Sequence, residues 1–195
     1  KPAGTTSLTV GTSSGIHAWH NKYYIRRIRV GKNESIYTYL QIHHPELIED
    51  EFFRPHDTAV ISVPQKAPYG AISRHESALD LLERVKRVSL EWVSPGHRRG
   101  QNSHNVSATI SVKEKNWDEV RDWMWENRAC YNGLSVLPYD GGTYKQAPFE
   151  DCDRDTYERL MSFLKDINLE NVIEIEDNTN LTGELACAGG ACEIK

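Results

Sequence analysis

The sequence predicts an α/β protein with parallel strands. Segments with the 3.6-residue period of helices alternate along the chain with segments of period 2, and no repeat or low-complexity linker interrupts them before the last twenty residues. Apolar residues make up 38% of the 195, including five tryptophans, which is enough to build a core under a wet surface.

The elements follow in order. KPAGTTSLTVGTSSGIHAWH feeds small and hydroxyl residues into a short helix. In YYIRRIRV, Arg26, Arg27 and Arg29 are interspersed with isoleucines, the pattern of a half-exposed strand. ESIYTYLQ reads as a helix and TAVISV, from Thr58 to Val63, as a strand. Ser73 and Glu76 form an S-x-x-E capping box ahead of Ala78, Leu81, Val85, Val88 and Trp92, one apolar stripe on a helix from about 76 to 93. NVSATISV alternates Val106, Ala108, Ile110 and Val112 with Ser107, Thr109 and Ser111, giving a strand with a polar face suited to line a site. Asn116 and Glu119 cap a helix carrying Trp117, Val120 and Met124; Trp117, Trp123 and Trp125 are expected in the core or on helix faces. GLSVLPYDGGTY gives a short strand and a Gly-rich turn, and Asp153 opens a helix with Tyr157, Leu160, Leu164 and Ile167.

Charge and composition exclude several classes. A net charge of −5 argues against direct nucleic-acid binding, whose affinity rests on neutralising phosphates. No apolar run approaches the roughly 20 residues of a membrane span, and no charged-then-apolar leader is present, so a cytoplasmic protein with no membrane partner is expected. Because the first residue is Lys1, the chain is expected to be the C-terminal portion of a longer reading frame.

Three groups of residues invite chemistry. Backbone N–H groups at a helix start beside the hydroxyls of Thr5, Thr6 and Ser7 would suit a phosphate, although by itself a Ser/Thr/Gly run is more often a plain loop. His17 and His20, and the adjacent His43 and His44, raise a metal reading without the accompanying H-E-x-x-H or C-x2-C pattern. Cys187 and Cys192 flank Ala-Gly-Gly-Ala, small enough to let the sulfurs meet. Such a bridge closes a tiny loop and staples nothing, which leaves thiol–disulfide exchange or two incidental thiols.

Taken together, KPAGTTS with GIHAWHNKYYIRRIRV, the block WMWENRACYNGLSVLPYDGGTYKQAPFEDC and the terminal CAGGAC resemble the C-terminal third of adenosylcobalamin-dependent (class II) ribonucleotide reductases, of the ribonucleoside-triphosphate type. The resemblance implies residues 1–176 as the C-terminal part of a ten-stranded catalytic α/β barrel and 177–195 as a flexible redox-active tail. It implies a thiyl radical that takes the ribose 3′ hydrogen, a barrel cysteine pair oxidised as the 2′-hydroxyl leaves, and Cys187 and Cys192 as the shuttle that re-reduces that pair. Pro2, Ala3, Gly4, Thr5, Thr6 and Ser7 would hold the substrate phosphates, with Ala3 standing where many members have serine. The implied cofactor is adenosylcobalamin. The implied partners are a ribonucleotide, a thioredoxin or glutaredoxin-like reductant and the remaining N-terminal part of the reductase. The radical cysteine and the barrel pair are absent from this chain, which alone is expected to be inactive. Cys130 and Cys152 take no role from the family and are expected as buried thiols, while the GHRRGQNSHN loop and LPYDGGTYKQAP turn are candidates to line the cobalamin or substrate cavity. Two rivals compete with this reading: a metal or redox module using the tail cysteines with His17 and His20, and a nucleotide-binding domain without radical chemistry.

Overall fold

The computed structural model of the chain describes residues 3–139, 141, 144–164 and 166–174. The helices are α1 (Gly4–Thr9), α2 (Ser35–His43), α3 (Ala78–Val88), the single turn α4 (Ser94–Gly96), α5 (Trp117–Glu126) and α6 (Arg154–Leu164). The strands are β1 (Tyr23–Gly31), β2 (Ile48–Asp50), β3 (Thr58–Lys66), β4 (Thr109–Val112), β5 (Ser135–Pro138) and β6 (Phe149–Asp151). They fall into two compact units. The first holds the described residues up to Trp19 together with those of 70–141, and the second holds those of 20–69 and from 144 onward.

The first unit is built on a β–α–β crossover. β4 and β5 pair in parallel, Thr109 opposite Ser135 through Val112 opposite Pro138, and α5 connects them. Parallel neighbours need such a crossover because a tight turn cannot reverse the chain twice. Leu82 and Val85 from α3, Ile110 and Val112 from β4, and Val120 from α5 are at most 1% exposed and form one core with Trp123. The indole N–H of Trp123 donates to Glu83 Oε1 at 2.5 Å, so a bulky ring with one polar atom is buried without an orphan donor.

The cap of α3 lies one turn later than expected. SRHESALD contains the pattern twice, as Ser73-x-x-Glu76 and Ser77-x-x-Asp80. The second pair caps: Asp80 N donates to Ser77 Oγ at 3.1 Å and Ser77 N to Asp80 Oδ2 at 3.0 Å. It abuts the apolar run directly, which frees Glu76 to pair with Arg84. The far end also differs, because Ser89–Val93 is a π-helical turn in which Ser94 N–H bonds the Ser89 carbonyl five residues back. In a regular helix Pro95 would press against the carbonyl four residues before it, and the wider turn relieves that clash. The extra residue rotates Trp92 by about 100° off the Leu81–Val88 stripe, and it is 79% exposed instead of packed.

In the second unit all pairings are antiparallel, in the order β2-β3-β1-β6, which corrects the expectation of parallel strands throughout. The reason lies in two strands of three residues, Ile-Glu-Asp and Phe-Glu-Asp, too short and charged to register as periodicity. β2 precedes β3 after α2 and turns the chain back, so helix–strand alternation here does not make a crossover. Ile25, Leu47 and Leu160 form the core, with Phe163, Leu164 and Ile167 packed against it. Asp153 opens α6 as expected, accepting from Thr156 N at 2.7 Å. Among the described residues this sheet has four strands and the other has two, in an α/β chain.

Leu82→Ala is expected to destabilise the chain by about 2–5 kcal/mol, the range for emptying a fully buried site. Trp92→Ser should change stability by no more than about 0.5 kcal/mol. Urea unfolding followed by far-UV circular dichroism checks both, and a large loss for Trp92→Ser would contradict the rotated π turn.

Candidate functional site

The residues expected to hold phosphate come together at the start of the first unit. Pro2 lies outside the described residues. Ala3 precedes α1, and Gly4, Thr5, Thr6 and Ser7 form its first turn; Ser7 N donates to the Ala3 carbonyl at 3.3 Å, while the amides ahead of it have no acceptor within the helix. Ala3 and Thr6 are exposed. Ser7 is 6% exposed and its hydroxyl donates to the Ala3 carbonyl, so it braces the turn from within.

The chain after α1 is fastened to the unit at three points. Arg84, on α3, donates to the Ile16 carbonyl at 2.9 Å and forms a two-point pair with Glu76, at 3.2 and 2.5 Å. His17 Nδ1 lies 2.8 Å from the Ser14 carbonyl and can only donate there, which leaves Nε2 to accept from Thr109 N, the first residue of β4, at 3.0 Å. Trp19 pairs with Ser73 as a parallel bridge, donating to the Ile72 carbonyl at 2.8 Å and accepting from Arg74 N at 2.9 Å. Gly11 and Gly15 take positive φ, 68° and 59°, on the stretch that leads from α1 to these anchors. None of the three staples was evident from the sequence.

Both ring nitrogens of His17 are thus engaged in holding backbone. His20 belongs to the second unit, where Nε2 is 3.2 Å from Asp151 Oδ1 and the ring stacks on Phe149 at 5.5 Å. The two histidines expected as a pair are structural groups of different units. His43 and His44 lie against Tyr39, at 5.0 and 5.7 Å. No group of three or more His, Cys, Asp or Glu side chains among the described residues is placed to hold a metal ion.

Cys187 and Cys192 lie outside the described residues. Cys130 and Cys152 are half-buried free thiols, more accessible than expected. Burial pushes the Cys152 thiol up, and Asp153, Asp151 and Glu150 add to the shift, so it is a poor nucleophile at neutral pH.

The GHRRGQNSHN loop is fastened to the turn before β5: Asn105 Nδ2 donates to the Gly133 carbonyl at 3.0 Å and Gly133 N returns a bond to Asn105 Oδ1 at 3.2 Å. Its Arg98 and Arg99 are exposed. Beside the stapled segment, an open depression of about 240 Å³ is lined by Ser13, Ile16, His17, Trp19, Ile72 and Arg84. Enclosed sites for drug-sized ligands span about 300–1,000 Å³, so this open depression does not fit a corrin on its own. No helix among the described residues is long and apolar enough to cross a membrane.

No family model matches the chain. Curated relatives nevertheless align with all of it. Proteins named adenosylcobalamin-dependent ribonucleoside-triphosphate reductase from Lactobacillus acidophilus, Lactobacillus delbrueckii subsp. bulgaricus and Lactobacillus leichmannii are 29%, 28% and 28% identical over 204, 201 and 201 residues. Each alignment takes 100% of this chain and 26% of the relative, so the chain spans about a quarter of the length of the curated relatives it matches. A crystal structure of a B12-dependent (class II) ribonucleotide reductase superposes with a TM-score of 0.70 at 26% identity, over 88% of this chain and 23% of that one.

Arg84→Met should release the stapled segment while α3 keeps its core face. Amide hydrogen exchange across residues 13–19 is expected to speed up about tenfold or more, with little change in β4. His17→Phe, which leaves Thr109 N without its acceptor, should lower stability by about 1–3 kcal/mol in urea unfolding.

Proposed function

We propose that this chain, a homologue along its full length of the adenosylcobalamin-dependent ribonucleoside-triphosphate reductases, is the C-terminal portion of such an enzyme. Residues 1–176 are in this reading part of a ten-stranded catalytic α/β barrel and 177–195 a redox tail. The observation that carries it is the match to reductases along the whole of this chain, which also carries CAGGAC. The complete protein reduces ribonucleoside triphosphates to 2′-deoxyribonucleotides in the cytoplasm, and adenosylcobalamin, held with residues beyond this chain, supplies its radical.

This chain contributes two functions. Pro2 to Ser7 form the loop that binds the substrate phosphates, through the N–H groups of Ala3 to Thr6 that open α1, and the exposure of Ala3 and Thr6 and the inward brace of Ser7 support that role. With alanine at position 3 and the Ser7 hydroxyl engaged on the Ala3 carbonyl, backbone donors carry most of the binding.

The tail dithiol restores the active site. Each ribonucleotide reduced oxidises two barrel thiols to a disulfide and releases water. A Cys187 or Cys192 thiolate attacks one sulfur of that disulfide, forming a mixed disulfide and expelling a barrel thiolate. The second tail thiolate then attacks the mixed disulfide, which frees the other barrel thiolate and leaves a Cys187–Cys192 disulfide. A thioredoxin or glutaredoxin-like dithiol supplies the two electrons and two protons that reopen it. The tiny ring costs little to form or break, which suits a carrier and not a staple.

In the complete reductase, Cys187→Ser and Cys192→Ser should each leave a single turnover intact and reduce thioredoxin-driven multiple turnover by about a hundredfold or more. Rapid-quench and steady-state measurements of deoxyribonucleotide formation check this. Equal loss in both assays would refute the shuttle.

A further inference from the structure

Of the three arginines on β1, two are neutralised on one face of the sheet. Arg27 Nη1 donates to Glu150 Oε2 at 2.6 Å, with Glu49 at 3.7 Å, and Arg29 reaches Glu51 at 3.4 Å. Arg26 points to the opposite face. Among the described residues it has no carboxylate, and its Nη1 is buried with no hydrogen-bond partner. The guanidinium lies 5.4 Å from the centre of the Phe149 ring, a contact that supplies no acceptor. Burial pulls its pKa below the ordinary arginine value, with the Tyr24 phenol partly opposing, yet a guanidinium stays charged in any protein. Arg26 as a whole is half-buried, and a charge removed from water even in part is unfavourable when no carboxylate meets it.

The register shows what surrounds it. Arg26 is opposite Val63 on β3 and Phe149 on β6, and Ile28 is opposite Ile61, which is opposite Ile48 on β2. These side chains share one face, while Ile25, on the other, packs with Leu160 of α6. Ile28 is 43% exposed in the middle of the sheet, and Ile48, Ile61 and Val63 are half-buried. Tyr24, Val30 and Ala59 at the margins of this face are buried and Asp151 is engaged with His20, so its middle is an apolar, partly open patch around a guanidinium that meets a ring but no carboxylate.

We propose that this sheet face is a docking surface for an apolar layer of the remaining reductase polypeptide, and that the layer carries a carboxylate which pairs with Arg26. The inference rests on the reading above that this chain is a portion of a longer reductase. Charge complementarity selects the occupant: an apolar partner with one acid satisfies both the isoleucines and the guanidinium. The curated relatives, of which this chain spans 26%, have ample further chain to supply it.

The test is made in the complete reductase polypeptide. Ile28→Cys is introduced as a reporter, and its alkylation is followed by peptide mass spectrometry against the urea-unfolded polypeptide, with circular dichroism to confirm folding. The reporter should react about tenfold or more slowly in the folded protein, and Arg26→Glu should restore much of the lost rate by placing like charges together. Arg26→Met should also restore it, because it strands the partner carboxylate, whereas a mere packing role for Arg26 would leave the reporter protected. A Glu→Lys or Asp→Lys change in the covering layer should return protection to Arg26→Glu. Fast labelling of the unmodified-Arg26 protein overturns the docking face, and protection indifferent to both Arg26 variants overturns the ion pair. Protection that appears only with added tripolyphosphate assigns Arg26 to a phosphate ligand and overturns the carboxylate. A polypeptide that reduces ribonucleotides with an open reporter refutes this proposal alone; one that reduces none refutes the reading beneath it.

Discussion

The nine-residue ladder between β1 and β3 is the constraint from which the second unit follows. Tyr23 to Gly31 pair one for one with Lys66 back to Thr58. Because side chains alternate across a strand, this register assigns every residue of YYIRRIRV to a face, and a slip of one would exchange the faces completely. In the observed register Ile25 meets Leu160 and Leu47 in the core, and Arg27 and Arg29 arrive beside Glu150, Glu49 and Glu51. The same arithmetic puts Arg26 among Val63, Phe149 and Ile28. A slipped strand would bury two arginines against isoleucines and leave the acids of β2 and β6 unpaired, so the ion pairs select the register as firmly as the apolar residues do.

A second layer of specification comes from buried polar side chains that hold backbone. Glu51 is 4% exposed and accepts from Phe53 N and Arg54 N, both at 2.7 Å. Gln146, 7% exposed and held at a φ of 57°, accepts from Phe52 N and donates to the Asp50 carbonyl, both at 2.8 Å. Together they fix the turn between β2 and β3 from two directions. Left-handed backbone at a glutamine is unfavourable by itself and persists because the side-chain amide is satisfied at both ends. Arg84 and His17 act alike in the first unit, each spending side-chain donors or acceptors on a distant main chain.

Such contacts explain which parts of the structure were legible in the sequence. Periodic segments were: α3, α5, α6, β1 and β3 lie where their apolar spacing puts them, β4 takes only the second half of NVSATISV, and Asp153 caps as its position implies. Segments whose structure is decided by a partner far along the chain were not. Ile48–Asp50 is a strand because β3 lies beside it, and Phe149–Asp151 because β1 does. Trp92 left its stripe because Pro95, three residues beyond, forces the helix to widen. For the candidate site, the hydroxyl and glycine content of PAGTTS indicated a helix start, while the hydrogen bonds that hold the following loop depend on residues about 50 to 90 positions away. The terminal cysteines were legible only as chemistry, since a sulfur pair around Ala-Gly-Gly-Ala specifies an easy ring and no place in a fold.

The two functions proposed for the chain make opposite physical demands, and the sequence meets them with different residues. Binding a phosphate through main-chain N–H groups works when the donors are held in place beforehand, since ordering a loop on binding would consume the interaction. The segment after α1 meets that demand with three staples of different kinds: a guanidinium on a carbonyl, an imidazole on an amide and a strand bridge. Losing any one leaves two, and none of the staples uses the first-turn donors of α1. Exchange with a buried disulfide requires the reverse, sulfurs with few commitments to their surroundings. EDNTNLTGEL and the Ala-Gly-Gly-Ala spacer bring charge, amides and small side chains but little apolar surface, and apolar surface is what would bind such a segment to a core.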